Sequence, residues 1–297
     1  SRGVARVRPS FLRPAGEPRS APVDLTAPPR YPVPMRIASL TCSNTEIVCA
    51  LGCGDRLVAV DDHSDHPAET LAGLPRLGPD LQIDIDRLVA CEPDLVLASL
   101  TVPGHEAVVE AVEAAGLTSI APAPERLEDI ERDIREIGAL LEVEARAEAL
   151  VASMADELAV IEAAIPPGAP IPILVEWWPK PVIVPGARSW VTDLLARVGG
   201  VNPFGERDAK SLPIEPAEAE AAGAAAIAIS WCGVEERNYR PEKVWGRAGW
   251  ERVPAVRDRR VAPISEAYLG RPGPRVVEGA RRLAALVAEC RSGDPRE

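Results

Sequence analysis

Apolar positions recur along this chain in two different rhythms. Between Glu125 and Ile165 they return every three or four residues. Leu127, Ile130, Ile134, Ile137 and Leu141 form one stripe, and Leu150, Met154, Leu158, Ile161 and Ile165 form a second. That spacing is one face of an α-helix. No proline interrupts the stretch before Pro166, and Gly138 is its single glycine. The stripes fall out of phase across Glu142–Arg146, which argues against one coiled-coil arm and for two helices, 125–141 and about 143–165. At 1.5 Å per residue the second would span roughly 33 Å, the height of two lobes.

On either side the rhythm changes to short apolar runs bounded by Gly and Pro. Arg36–Leu40, Arg56–Val60, Asp94–Ser99 and Thr118–Pro122 read as strands before the helical stretch. Ile171–Glu176, Val182–Val184, Ala224–Ile229 and Arg260–Pro263 do so after it. Helical segments separate them: one closed by Gly52, then Asp84–Cys91, Glu106–Ala115, Ser189–Val198, Glu215–Ala222, and a last one ending near Cys290. Strand and helix in alternation predict an α/β fold with mostly parallel sheets and loops clustered at the strands' carboxyl ends. The expected architecture is two Rossmann-like lobes, 35–141 and 166–290, bridged by a helix over 142–165, with a ligand cleft between them.

Length and composition leave this picture intact. A chain of 297 residues can build two medium lobes. At 46% apolar and 26% charged it has ordinary globular composition, and a net charge of −12 argues against a nucleic-acid partner, which would need a basic face. No run approaches the ~18 apolar residues of a membrane span. The first thirty-four residues are rich in Pro and Arg and hold no apolar run suited to a signal peptide, so they read as a disordered or non-native extension, as 291–297 reads as a tail. No export signal is visible, which leaves a cytoplasmic location open. The six cysteines form no Cys-x-x-Cys pair and no zinc spacing, and read as reduced core residues.

Candidate chemistry gathers past strand ends. Ser43 and Glu46 form a capping-box pattern at a helix start whose free amides suit an anionic group. His63 and His66 lie three apart among Asp61, Asp62 and Asp65, a pattern shared by metal sites and by plain solvated loops. His105, Trp177, Trp178, Trp231 and Tyr268 also fall on strand-end rims, and facing rims would make an aromatic-lined cleft for a large flat ligand. Gly-x-Ser-x-Gly is absent and histidines number three, which favours a binding protein over a hydrolase. One acid precedes a helix–strand unit in each half, Asp86 and Glu218.

Several segments together resemble the cobalamin and ferric-siderophore binding proteins of ABC importers. Arg36-Ile37-Ala38-Ser39-Leu40, Ser43-Asn44-Thr45-Glu46-Ile47, Ala50-Leu51-Gly52, Asp55–Val60, Asp65-His66-Pro67 and Glu92–Ala98 match the family's first half. Glu176-Trp177, Gly199-Gly200, Cys232-Gly233-Val234 and Arg271-Pro272-Gly273-Pro274-Arg275 point to its cobalamin-binding branch. The resemblance covers about residues 36–288. It implies a monomeric, non-enzymatic carrier of a metal chelate, delivering cobalamin or a related corrinoid, or alternatively heme or a ferric siderophore, to an ABC permease in the cell envelope. Cys42, Ser43, His63, His105, Trp177, Trp178, Trp231, Tyr268 and Arg271 are its expected ligand contacts, with His63 a candidate axial ligand to the bound metal. Asp86 and Glu218 match the acids that dock on permease arginines. Cys42 replaces the family's usual proline, and Leu212 stands where a cobalamin-binding tryptophan can occur. Outside the class, His63, Asp65 and His66 would suit a cytosolic metal-dependent enzyme, and the same fold would serve an intracellular corrinoid carrier.

Overall fold

The computed structural model describes residues 34–292. Residues 1–33 and 293–297, which hold nearly all of the expected extension and tail, lie outside the described residues.

In the first lobe β1 (Ile37–Ser39) leads to α1 (Cys42–Ala50), β2 (Leu57–Val60), α2 (Ala68–Leu71), α3 (Ile85–Ala90), β3 (Leu95–Leu97), α4 (His105–Ala114) and β4 (Ser119–Ile120). Its four strands are all parallel, in the order β2-β1-β3-β4, with Ser39 in register between Val60 and Leu97. Then come α5 (Leu127–Leu140) and α6 (Glu144–Ala163). The break between the two apolar stripes is a turn at Glu142, whose φ of 58° lies in the left-handed region that ends a helix. Gly138 is glycine because a side-chain carbon there would overlap Ala147 where α5 and α6 touch.

The second lobe holds β5 (Ile171–Glu176), β6 (Trp178–Pro179), β7 (Val182–Pro185), α7 (Trp190–Arg197), β8 (Gly200–Val201), β9 (Ser211–Ile214), α8 (Pro216–Ala222) and β10 (Ala226–Ile229). It ends with α9 (Pro241–Trp245), α10 (Pro254–Arg257), β11 (Val261–Pro263), α11 (Glu266–Leu269) and α12 (Val276–Ser292). A second parallel sheet runs β11-β10-β5-β8, and a small antiparallel sheet runs β6-β7-β9. The small sheet was not expected, because β6 has only two residues and all three of its strands carry proline; Pro213 fits there because β9 is an edge strand.

The fold is therefore α/β in two lobes, with α6 packed on α5 on one side and on α12 on the other. At 20 residues α6 is about 30 Å long. Its buried face, Ala147, Val151, Met154 and Leu158, belongs to one apolar cluster that runs unbroken from Ile37 and Ile47 to Val175, Leu194 and Leu283. Both lobes thus share a core through the bridging helix. No helix among the described residues is long and apolar enough to cross a membrane.

Candidate functional site

The carboxyl ends of both parallel sheets open onto one cleft. One part of it is a cavity of about 730 Å³ lined by Val102, Trp177, Trp178, Ile183, Trp190 and neighbours. An adjoining cavity of about 820 Å³ is bounded by Cys42, Ser43, His63, His105, Cys232 and Arg271 among others. Thr101, Val102, Cys232 and Gly270 border both, so the two are one space with an aromatic half and a polar half. Each half is of the size that holds a small-molecule ligand, roughly 300–1,000 Å³.

On the first-lobe wall, the acids of the 61–66 loop shape it from within. Asp61 is fully buried and accepts from the Ser64 hydroxyl and from the His63 backbone N–H at 2.9 Å. Burial pushes its carboxyl above the ordinary range, the two hydrogen bonds only partly offsetting this. Asp62 accepts from Gly78 N–H, and Asp65 accepts from Arg271 at 2.6 Å. With its acids committed, the loop does not gather a metal-ion site, and no group of three His, Cys, Asp or Glu side chains disposed to hold a metal ion occurs among the described residues. What it does is present His63, whose side chain is 48% exposed to the cleft.

Asp80, which sequence reasoning missed, organises this wall. The Val102 backbone N–H donates to His105 Nδ1 at 3.3 Å, so the buried His105 ring carries its proton on Nε2 and donates to Asp80 at 3.1 Å. The other Asp80 oxygen lies 3.9 Å from His63 Nε2. Burial alone would raise the Asp80 carboxyl, but the His105 hydrogen bond and the two imidazoles outweigh it and hold it below the ordinary range. An ionised Asp80 thus holds the buried His105 ring by a hydrogen bond and places a negative charge near the exposed His63 imidazole without bonding to it. Nearby, burial and the Asp61 carboxylate drive the Cys42 thiol far up, so Cys42 is a neutral wall atom rather than a thiolate.

The cleft also receives the start of α1, at Thr41, Cys42 and Ser43. The expected Ser43–Glu46 capping box does not form. Thr41 is the N-cap, so Glu46 falls at the fifth helical position, past the reach of the first amides. Glu46 is instead buried and binds Arg271 at 3.1 Å and Arg275 at 2.6 and 2.9 Å, both from the second lobe. Arg271, 9% exposed, also binds Asp65 and Glu266. It lines the polar half of the cleft with its charge already matched, so the expected role of a free cation for a ligand's carboxylate or phosphate needs one of these bonds to open. Matching ties close the aromatic half: Glu125 pairs with Arg188 at 3.3 Å and Lys210 at 3.6 Å, and Asp193 receives Arg126.

On the second-lobe wall Trp177 and Trp178 follow β5, as read from the sequence. Trp177 lies 6.1 Å from Trp190, which sequence reasoning took only as a helix start and which holds its ring by donating to the Leu269 carbonyl at 2.8 Å. Trp178 is 44% exposed. Two expected contacts are not on this wall. Trp231 is 3% exposed, with its indole N–H on buried Glu176 at 2.9 Å and its ring against Tyr239. The buried carboxylate turns it away from the cleft, and Cys232 takes the rim position. Tyr268 sits between the guanidinium groups of Arg275 and Arg282, 5.5 Å from each, because the short α11 turns it towards α12.

The two echoed acids both sit in the first turn of a helix but in different surroundings. Asp86 is exposed in the first turn of α3. Glu218, in the first turn of α8, accepts from the Glu215 backbone N–H at 3.0 Å and pairs with Arg207 at 2.9 Å.

Two α/β lobes bridged by one packed helix, with a cleft at the carboxyl ends of their strands, define a two-lobed ligand receptor. The chain belongs to the periplasmic binding protein family, whose model matches residues 37–268. It is 26% identical over 260 residues to the ABC transporter substrate-binding lipoprotein YvrC of Bacillus subtilis, covering 86% of this chain and 80% of that protein. It is 24% identical over 257 residues to the vitamin B12-binding protein of Vibrio parahaemolyticus, covering 86% and 88%. Among solved structures, the apo periplasmic heme-binding protein RhuT of Roseiflexus sp. RS-1 superposes with a TM-score of 0.74 at 25% identity, over 86% of this chain and 98% of that one.

Proposed function

We propose that this protein is the substrate-binding component of an ABC importer and carries cobalamin or a related corrinoid in the interlobe cleft. The observation that carries the reading is the pairing of an aromatic half-cleft, built by Trp177, Trp178 and Trp190, with a half that offers the exposed His63 imidazole. Flat apolar macrocycle faces stack on indole, and an imidazole nitrogen suits a cobalt or iron centre. The vitamin B12-binding relatives favour the corrinoid. Its expected site residues are Cys42, Ser43, His63, His105, Trp177 and Trp178, with a permease docked at Asp86 and Glu218 and a place in the cell envelope.

The second reading is heme, supported by the accessible His63 and by the heme-binding structural relative. A metal-dependent enzyme built on His63, Asp65 and His66 is disfavoured because Asp65 is held by Arg271. The test is titration of the purified protein with cyanocobalamin, heme and a ferric siderophore, followed by calorimetry and absorbance. Cyanocobalamin is expected to bind most tightly. A heme band shift that His63→Ala abolishes would move the assignment to heme, and silence from all three at tens of micromolar sinks both.

A further inference from the structure

A third hollow lies wholly in the second lobe and shares only Trp178 with the walls of the cleft. It encloses about 1530 Å³, open to solvent, and is bounded by Trp178, Lys180, Trp231, Asn238, Lys243 and Arg247 among others. Its charge is unusual for this chain. Of 33 Lys and Arg residues only three are lysine: Lys180 and Lys243 line this hollow, and Lys210 lines the cleft. Elsewhere the chain uses arginine, which locks onto carboxylates as a rigid fork.

The cations of this pocket differ in how they are spent. Arg247 is neutralised by a two-point pair with buried Glu176, at 2.7 and 2.8 Å, and stacks on Trp250 at 4.3 Å. Lys180 and Lys243 form no ion pair among the described residues, and the Lys243 ammonium lies 6.0 Å from the centre of the Trp231 ring. Trp178 donates its indole N–H to the Lys180 carbonyl at 3.0 Å, which holds the ring beside that lysine and leaves its face exposed. In a chain of net charge −12, two uncompensated ammonium groups beside an exposed indole form a site with a definite chemical preference.

We propose that this pocket binds a planar aromatic anion, a ring carrying a phosphate or carboxylate. The ring stacks on Trp178, and Lys180 and Lys243 take the charge. Its two lysines lie outside the walls of the cleft. Its occupant is either a separate small molecule or an anionic aromatic side arm of the cleft's own ligand, since Trp178 borders both spaces.

Phenyl phosphate is the probe, titrated by calorimetry and tryptophan fluorescence against the unliganded protein. Saturable binding is expected, tighter than that of inorganic phosphate. The Lys180→Ala/Lys243→Ala variant should lose at least about tenfold in affinity, the size of one charge-assisted hydrogen bond. Trp178→Leu should weaken phenyl phosphate and leave inorganic phosphate unchanged. Both lysines are exposed, so the double variant keeps the fold. Repeating the titration with the cleft saturated separates the sources: competition identifies a side arm, and independence a separate ligand. Absence of saturable binding, or equal affinity in wild type and the double lysine variant, overturns the proposal. Neither result bears on the cleft, whose own titration is separate.

Discussion

Replacing Glu46 with glutamine cuts the ionic tie between the lobes at its buried centre. Glu46 lies on α1 in the first lobe and holds Arg271 and Arg275 from the segment before α12 in the second. Removing one member of a buried ion pair costs about 3–5 kcal/mol when the partner is left uncompensated. Here the loss is smaller. Arg271 keeps Asp65 and Glu266, and Arg275, whose side chain is 23% exposed, keeps the Tyr268 ring and gains water. The expected destabilisation is about 2–3 kcal/mol, measured by urea denaturation at pH 7. A double-mutant cycle with Arg275→Met should give a coupling of about 1 kcal/mol or more, because each side chain supplies the other's charge. A loss below about 0.5 kcal/mol for Glu46→Gln, or additive effects in the cycle, would show that the tie contributes nothing, as many surface pairs do not. The same variant releases one bond of Arg271 beside the cleft, so affinity for an anionic chelate should not fall with stability.

Asp133 gives a pH-dependent counterpart. One of its oxygens is buried without a partner, and burial raises its carboxyl from the ordinary 3.8 to about 6, Arg132 at 3.6 Å only partly opposing this. A raised carboxyl means the fold holds the proton more tightly than the unfolded chain, so stability falls as pH rises between those two values. Asp133→Asn should therefore stabilise by about 1–3 kcal/mol above the upper value and by nothing below the lower one, read from melts across pH; a gain independent of pH refutes the assignment. If Asp86 and Glu218 dock a permease, Asp86→Ala and Glu218→Ala should abolish uptake in a transport assay while leaving ligand affinity unchanged. Glu218→Ala should also lower the melting temperature slightly, because it removes the acceptor for the Glu215 backbone N–H, and unimpaired uptake in both would end the docking role. Because one core runs through both lobes, ligand binding should scarcely change the radius of gyration in small-angle scattering, whereas a large drop would show a hinge.

What was legible from the chain, and what was not, divides by how far apart the cooperating residues lie. The α5–α6 break, the alternating strands and the rim positions of His63, Trp177 and Trp178 follow from local rhythm, because a residue just past a parallel strand has few places to be. Its direction is another matter. Trp177 and Trp231 each follow a strand of the same sheet, yet one faces the cleft and the other the core. The difference is Glu176, 55 positions before Trp231, whose buried carboxylate takes the Trp231 N–H. Glu46 looked like a capping residue because its neighbours allowed it, while its true partners lie 225 and 229 positions away. Asp80 gave no local signal at all, being one acid in a loop, and has a role only because β2 and β3 bring His63 and His105 to it. The scarcity of lysine was different. It was visible in the composition, and its meaning waited only on seeing that Lys180 and Lys243 share one pocket. Periodicity thus reports which face of an element is buried, whereas a binding site is made by side chains from separate elements. A polar residue with an adequate local explanation is therefore the kind most easily misread.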